Sequence, residues 1–166
     1  MDAPALPSRH SVIKLRNITA DNWGHIARLV VNKDQLGLVS SNLESLCEHQ
    51  FHQPQSKVWA VYADNSPVGF IRLQRKQDEN SSRPVYFLKT FMIDQACQGL
   101  GFGTKAMRAL REELLGHHMQ QTEIRVSTTQ FATVRQDDSP VHFFTALGFE
   151  SSSNASEQQL VWLSIS

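Results

Sequence analysis

Three glycines at alternate positions, Gly99, Gly101 and Gly103, punctuate the stretch QACQGLGFGTKAM (95–107). An apolar, strand-like run, VYFLKTFMID, comes before them, and a helix-like run, KAMRALREELL, follows. A glycine-rich turn that opens a helix suits a phosphate. The backbone can approach an oxyanion with no Cβ in the way, and the first N–H groups of the helix point at it from the positive end of the helix dipole. Three phosphate templates compete. A P-loop needs Gly-Lys-Ser/Thr, and here Gly103 is followed by Thr104 and Lys105. A dinucleotide fingerprint needs a third glycine where Thr104 or Ala106 stands, and it belongs near the first strand of its fold. The template that fits is Gln-x-x-Gly-x-Gly, carried by Gln98, Gly101 and Gly103, with the Gln98 amide able to donate to a phosphate oxygen. The alternative is a turn whose glycines only let a helix pack closely on a sheet.

The elements that must position this turn follow from periodicity and punctuation. SVIKLRNI reads as an edge strand on Val12, Leu15 and Ile18. TADNWGHIARLVV reads as a helix capped by Asp21, with Trp23, Ile26, Ala27, Val30 and Val31 at helical spacing. SSNLESLCEHQF reads as a second helix capped by Ser41 or Asn42, with Leu43, Leu46, Cys47 and Phe51 on one face. KVWAVYAD and VGFIRLQRK form a hairpin across Asn65-Ser66-Pro67, and VYFLKTFMID is apolar enough to be a central strand. The helix after the glycine turn runs to about Leu115, with Gly116 as its stop. TEIRVSTT is a strand and QFATVRQDDS a polar loop. SPVHFFTALGF is a helix with Ser139 as cap, Pro140 in its first turn and Gly148 at its end, and GFESSS and QQLVWLSIS are closing strands. The order is strand, two helices, three strands, helix, strand, helix, two strands, which describes a mixed α/β sheet with helices on its faces.

Composition narrows the function classes. The 166 residues fit one domain, 1–166, with 1–10 as a loose arm. Hydrophobic residues are 40% and charged residues 19%, and the 16 basic and 16 acidic side chains balance to a formal charge of zero. That balance offers nothing to attract a nucleic acid or a membrane surface. No run reaches the roughly 18 apolar residues of a membrane span, and MDAPALPSRH lacks the pattern of a secretory signal. Cys47 and Cys97, far apart, suggest two reduced thiols in a cytoplasmic protein. His117 and His118 are adjacent, which is not a helical metal-ligand spacing, and no metal site is expected.

The stretch FMIDQACQGLGFGTKAM, followed some forty positions later by SPVHFFTALGFE, resembles the GNAT superfamily of acyl-CoA-dependent N-acetyltransferases, over most of the chain from Val12 to Ile165. Within it, NWGHIARLVVNKDQLGLVSSNLESL, PVGFIRL and FMID look most like bacterial acetyltransferases of the diamine and polyamine type. The resemblance implies a largely antiparallel sheet of six to seven strands with about four helices on its faces and a splayed central strand pair. It implies acetyl-CoA as co-substrate, a primary amine as acceptor, direct attack in a ternary complex, and a homodimer as a frequent assembly. The pantetheine arm would lie in the splay and pair like an added strand. Phe91, Met92 and Ile93 would offer that backbone. Gln98, Gly99, Leu100, Gly101, Phe102, Gly103 and Thr104 would cradle the pyrophosphate, with Met92 and Phe102 side chains as packing. Asp137 stands where many members carry an Asn that touches the cofactor.

Two departures from the family concern the chemistry. The Tyr that many members use as general acid corresponds to Phe144, which has no proton to give and by the resemblance would pack against the pantetheine of the cofactor instead. The Glu that many carry on the strand before the glycine turn has no counterpart, because Tyr86, Lys89 and Thr90 are the polar residues there. The catalytic acid and base are therefore unassigned. Loss of such assistance slows chemistry by about 10²–10⁴-fold without abolishing it where positioning survives. A weakly catalytic acyl-CoA-binding module and an acetyltransferase of protein or peptide amines are the alternatives. Glu44 and Glu48, one helical turn apart, and Asp34 are candidates for attracting a cationic amine, against an ordinary solvated face. His49, His52 and His142 are proton-relay candidates by residue type alone.

Overall fold

The computed structural model describes residues 6–31, 41–117, 119, 121–127, 140–151 and 159–163. Its strands are β1 (Ile13–Arg16), β2 (Ser56–Ala63), β3 (Ser66–Lys76), β4 (Val85–Ile93), β5 (Glu123–Ser127), β6 (Glu150–Ser151) and β7 (Gln159–Leu163). Its helices are α1 (Trp23–Ala27), α2 (Asn42–Phe51), α3 (Phe102–Gly116) and α4 (Pro140–Ala146), and a 3-10 turn at Gln95–Cys97 precedes α3. The strands form one seven-stranded sheet in the order β1-β2-β3-β4-β5-β7-β6. Every neighbouring pair is antiparallel except β4 and β5.

That exception creates the site. β4 pairs with β5 only at Val85↔Glu123, Tyr86↔Ile124 and Phe87↔Arg125. Beyond Phe87, residues 88–93 of β4 have no partner on the β5 side among the described residues, so the two strands splay as expected. At about 3.3 Å per residue this open edge runs for about 20 Å. Within β4, Arg72 of β3 faces Thr90 and Leu73 faces Leu88, which leaves Lys89 as an extra, bulged residue. The bulge resets the strand's alternation. Tyr86 and Leu88 before it, and Phe91 and Ile93 after it, all join the core under α3 and α4, with Phe102, Ala106, Met107, Leu110, Leu114, Phe144 and Phe149. Met92 turns to the opposite face and packs with Ile26, Val31, Tyr62 and Phe70 under α1 and α2.

Helices α1 and α2 depart from their sequence periodicity. α1 is a single short turn with Asn22, not Asp21, at its N-cap. Asn22 turns its side chain backward, accepting from Thr19 N–H (2.8 Å) and donating to the Asn17 carbonyl (3.0 Å). Ile26 and Val31 are buried, while Trp23 and Val30 are largely exposed. α2 begins as expected at Ser41, with a capping box in which Ser41 and Glu44 satisfy each other's backbone N–H groups. Leu46 packs on the core as expected, but the buried residues of the helix are polar. Asn42 and Ser45 are buried, whereas Leu43 is 51% and Phe51 86% exposed and Cys47 also faces outward. The sheet beneath explains the reversal. Arg72 of β3 is 2% exposed and Thr90 of β4 is buried, so the helix above them must supply polar partners. Ser45 and Thr90 share a hydroxyl hydrogen bond (2.8 Å), and Glu48 forms an ion pair with Arg72. Arg72 also donates to Gln74 (2.9 Å) and Ser56 (3.2 Å).

The N-terminal arm is less free than its composition suggests from Ser8 onward. Ser8 and Ser11 close a turn, and Lys105 of α3 donates to the carbonyls of Arg9 (2.8 Å) and Ser11 (3.2 Å).

Candidate active site

The open edge of β4 ends at a turn that is locked from several directions. Asp94 caps the 3-10 turn, accepting from Ala96 N–H at 3.2 Å, and its carbonyl accepts from Cys97 N–H at 2.8 Å. The Gln98 side chain donates to the Ile93 carbonyl at 2.9 Å. At least one of its amide N–H donors therefore braces the turn. Gly99 and Gly101 both adopt φ +79°, a left-handed conformation that disfavours any residue with a Cβ. A Cβ at either would meet nothing within 4 Å, so conformation, not crowding, calls for glycine there.

Gly101 is the N-cap of α3 and brings no side chain to its first N–H groups. Those of Phe102, Gly103 and Thr104 lack intrahelical partners by the geometry of any helix start, and the dipole of this 15-residue helix favours negative charge at that point. The arrangement fits a pyrophosphate. Gly103 has a different reason to be glycine. A Cβ there would lie 3.3 Å from the Phe143 ring and 3.7 Å from Phe91, so its absence lets α3 approach an aromatic cluster. Phe102 is buried in the core as expected, with Leu100 partly buried beside it.

The backbone of the open edge can be assigned from alternation. Asp94 N–H donates to the Val68 carbonyl of β3 at 2.7 Å. Alternate residues of a strand point their amides to opposite sides, so Met92 faces β3 while Phe91 and Ile93 face the splay. Of the three expected residues, Phe91 and Ile93 turn their backbone outward, and Met92 contributes packing. Gly69 makes the close β3 contact possible. A Cβ there would sit 2.5 Å from the Met92 carbonyl oxygen. Gly69 and Asp94 lie within PVGFIRL and FMID, but their importance lies in contacts with residues distant in the chain.

Phe144 is 2% exposed. Its ring packs edge-on against Phe143 and Phe149, each 5.1 Å away, and Phe91 stacks on Phe143 at 5.7 Å. The acid position is thus part of an aromatic floor between α4 and β4. Cys97, beside the cradle, is half-buried, and burial first and the Asp94 charge second push its thiol above its ordinary value. A thiol held protonated is a poor nucleophile, which argues against an acyl-cysteine intermediate.

Two of the acidic candidates for amine attraction have partners within the fold. Glu44 is a capping residue and Glu48 neutralises Arg72. His49 sits next to that ion pair. Burial chiefly, and then the Arg72 charge, lower its pKa against a backbone contact at Ser56, and its Nδ1 is buried without a hydrogen-bond partner among the described residues. Asp34 and Asp137 lie outside the described residues. No cluster of three or more potential metal ligands occurs among the described residues, nor is any helix there long and apolar enough to cross a membrane.

Comparison with known proteins agrees with this geometry. The model of the acetyltransferase (GNAT) family matches residues 37–149. The spermine/spermidine N(1)-acetyltransferase of Bacillus subtilis strain 168 is 31% identical over 107 residues, covering 61% of this chain and 68% of that protein. The fold is similar to that of spermidine N-acetyltransferase from Vibrio cholerae, solved with CoA and spermine (TM-score 0.61, 15% identity, 92% of this chain and 96% of that one). It is also similar to that of Arabidopsis thaliana Naa50, solved with a bisubstrate analogue (TM-score 0.58, 16% identity, 90% and 97%).

Proposed function

The chain belongs to the GNAT family and is an acyl-CoA-dependent N-acetyltransferase with acetyl-CoA as co-substrate, and from that premise we propose that its acceptor is a primary amine of a small di- or polyamine, attacked directly in a ternary complex. The observation that carries the cofactor half is the continuity of two features. The edge at 88–93, without a partner on the β5 side among the described residues, ends at Ile93, and the left-handed glycines lead from there into the N-terminus of α3. A pantetheine amide can pair with Phe91 and Ile93 while the pyrophosphate rests on the N–H groups of Phe102, Gly103 and Thr104. The similarity to the Bacillus polyamine enzyme supports the acceptor class.

In this reading the neutral amine nitrogen attacks the thioester carbonyl carbon. The C–N bond forms, and the carbonyl oxygen becomes an oxyanion within reach of the Phe91 N–H, the outward amide farther from the cradle. Collapse breaks the C–S bond and releases the CoA thiolate, which takes up the proton that the new ammonium loses. Phe144 cannot deliver that proton, so water carries it. Positioning and the oxyanion donor then supply most of the acceleration. Residues 1–166 act in this reading as one domain of a cytoplasmic enzyme, with a homodimer as the expected assembly.

The test is CoA release from acetyl-CoA with spermine, spermidine, short diamines and peptides bearing a free N-terminus. Polyamines should give kcat/KM at least about tenfold above any peptide. A peptide that outruns every polyamine would overturn the acceptor class. Tight acetyl-CoA binding without turnover of any amine would overturn catalysis as the role of the site.

A further inference from the structure

The edge of β4 that faces β5 changes hands partway along. β5 holds it at Val85, Tyr86 and Phe87, and from Leu88 onward it has no partner among the described residues. β5 does not end where this pairing ends. Val126 and Ser127 continue as strand, paired with Leu160 and Gln159 of β7. Two ordered strands therefore diverge, and the last rung before they do is Phe87↔Arg125.

That rung is fastened by ion pairs. The Arg125 guanidinium donates through Nε to Glu123 (2.5 Å) and through a terminal nitrogen to Asp78 (2.7 Å), 47 positions away in the loop between β3 and β4. The three side chains are largely withdrawn from solvent, so salt screens these pairs less than it would at an open surface. Asp78 is itself held in place. Its other carboxylate oxygen accepts from Asn80 N–H at 2.9 Å, and its carbonyl accepts from Ser81 N–H at 3.0 Å. The Asn80 N–H first, and Arg125 second, keep the Asp78 carboxyl below its ordinary value, so it is charged at neutral pH. Glu123 N–H adds a bond to the Pro84 carbonyl at 2.9 Å, just before β4 begins.

We propose that Arg125, held by Asp78 and Glu123, is a positioning residue that fixes where β5 releases β4 and so limits the length of acyl chain the site accepts. This rests on reading the glycine turn as the acetyl-CoA cradle. With the pyrophosphate at the start of α3, the pantetheine runs back along β4 from Ile93. Its acyl group, with the thioester oxygen at the Phe91 N–H, then heads for Phe87. The acyl chain and β5 approach along the same edge from opposite ends. Residues 88–90 lie between them, about 10 Å at strand spacing and somewhat less with the bulge at Lys89. A closing contact with the rung takes about 4 Å of that length. At about 1.2 Å per bond of extended chain, the remainder holds about four carbons beyond the carbonyl. Acetyl and butyryl groups fit, and an octanoyl group runs into the Phe87–Arg125 rung.

Isothermal titration with acetyl-, butyryl- and octanoyl-CoA tests this without depending on the amine. In the wild type, butyryl-CoA should bind within about threefold of acetyl-CoA, and octanoyl-CoA at least about tenfold more weakly than butyryl-CoA. Arg125→Met removes both ion pairs, and Asp78→Ala removes the one to the loop, where a substitution leaves the core untouched. In each variant the octanoyl-to-butyryl ratio of Kd should fall at least about fivefold, because β5 can peel back from Phe87. The ratio is taken within one protein, so a general loss of stability or of cradle affinity does not move it. Amide hydrogen exchange at 85–87 and 123–125, read by NMR, should quicken at least about tenfold in Arg125→Met. Wild-type protein that binds octanoyl-CoA as tightly as butyryl-CoA would overturn the limit, and an unchanged ratio in either folded variant would overturn the part played by the ion pairs. Wild-type protein that binds none of the three would overturn the reading of the cradle, and the limit with it.

Discussion

Replacing Gly101 by Asp and by Asn separates the electrostatics of the cradle from its shape. The two side chains are nearly isosteric, and both tolerate the left-handed region better than other non-glycine residues. A Cβ at Gly101 meets nothing within 4 Å, so neither variant suffers a steric clash. Each should lose about 1 kcal/mol of stability to the φ of +79°. In the free protein Asp should be the more stable of the two by about 0.3–1 kcal/mol, because its charge sits at the positive end of α3. Acetyl-CoA reverses that order. A carboxylate about 4–5 Å from a phosphate charge, at an effective dielectric of about 20, costs about 3–4 kcal/mol. The exposure of Gly101 and salt screening reduce this toward about 2 kcal/mol, so about thirtyfold in Kd is the expected scale and about 300-fold the unscreened ceiling. Isothermal titration with acetyl-CoA, beside thermal unfolding of the free proteins, reads both quantities. Asn should bind within about threefold of wild type, and Asp at least about thirtyfold more weakly, with the more stable variant the worse binder. Equal affinities for Asp and Asn would refute the argument that the N-terminus of α3 faces the pyrophosphate.

Three further outcomes follow from the same geometry. Gly69→Ala should destabilise by about 1–3 kcal/mol and weaken acetyl-CoA binding, because the new methyl pushes on the Met92 carbonyl and shifts the end of β4; a melting temperature unchanged from wild type would contradict the close contact. Glu48→Ala should cost about 2–3 kcal/mol in chemical denaturation, more than Arg72→Met, because it strands a buried guanidinium; the value falls short of the roughly 3–5 of a fully buried pair since Gln74 and Ser56 still accept. The lowered pKa of His49 means that the unfolded chain takes up a proton the folded one refuses, so this contribution is intact above about pH 6.5 and stability declines as the pH falls below it. His49→Gln should flatten that part of the stability–pH curve, measured by denaturant titration, and an unchanged slope would remove His49 as its source.

The glycine turn was legible because its demand is local: left-handed backbone selects glycine at Gly99 and Gly101 whatever surrounds them. The order of strands and helices was legible for a similar reason, since apolar alternation and turn residues lie within each segment. What the helices bury was not. The periodicity of α2 groups Leu43, Leu46, Cys47 and Phe51, and of these Leu46 packs, but the buried Asn42 and Ser45 are set by Arg72 and Thr90 on strands far away in sequence. That juxtaposition depends on the bulge at Lys89, which no pattern in the β4 sequence announces. α1 is short for an equally distant reason, the capture of Val30 by Asp94. Spacing and charge single out Glu44 and Glu48 but not their partners, a capping box for the first and Arg72 for the second. Gly103 has the right type for the cradle motif, yet its nearest neighbour is the Phe143 ring.

The account depends most on acetyl-CoA lying along the unpaired edge of β4 with its pyrophosphate at the start of α3. A crystal structure of the acetyl-CoA complex tests this directly. The account predicts pyrophosphate oxygens within about 3 Å of the N–H groups of Phe102, Gly103 or Thr104, pantetheine amides paired with Phe91 and Ile93, and the thioester oxygen facing the Phe91 N–H. A cofactor bound with its pyrophosphate away from Gly101, or with the edge at 88–93 left unpaired, would contradict it.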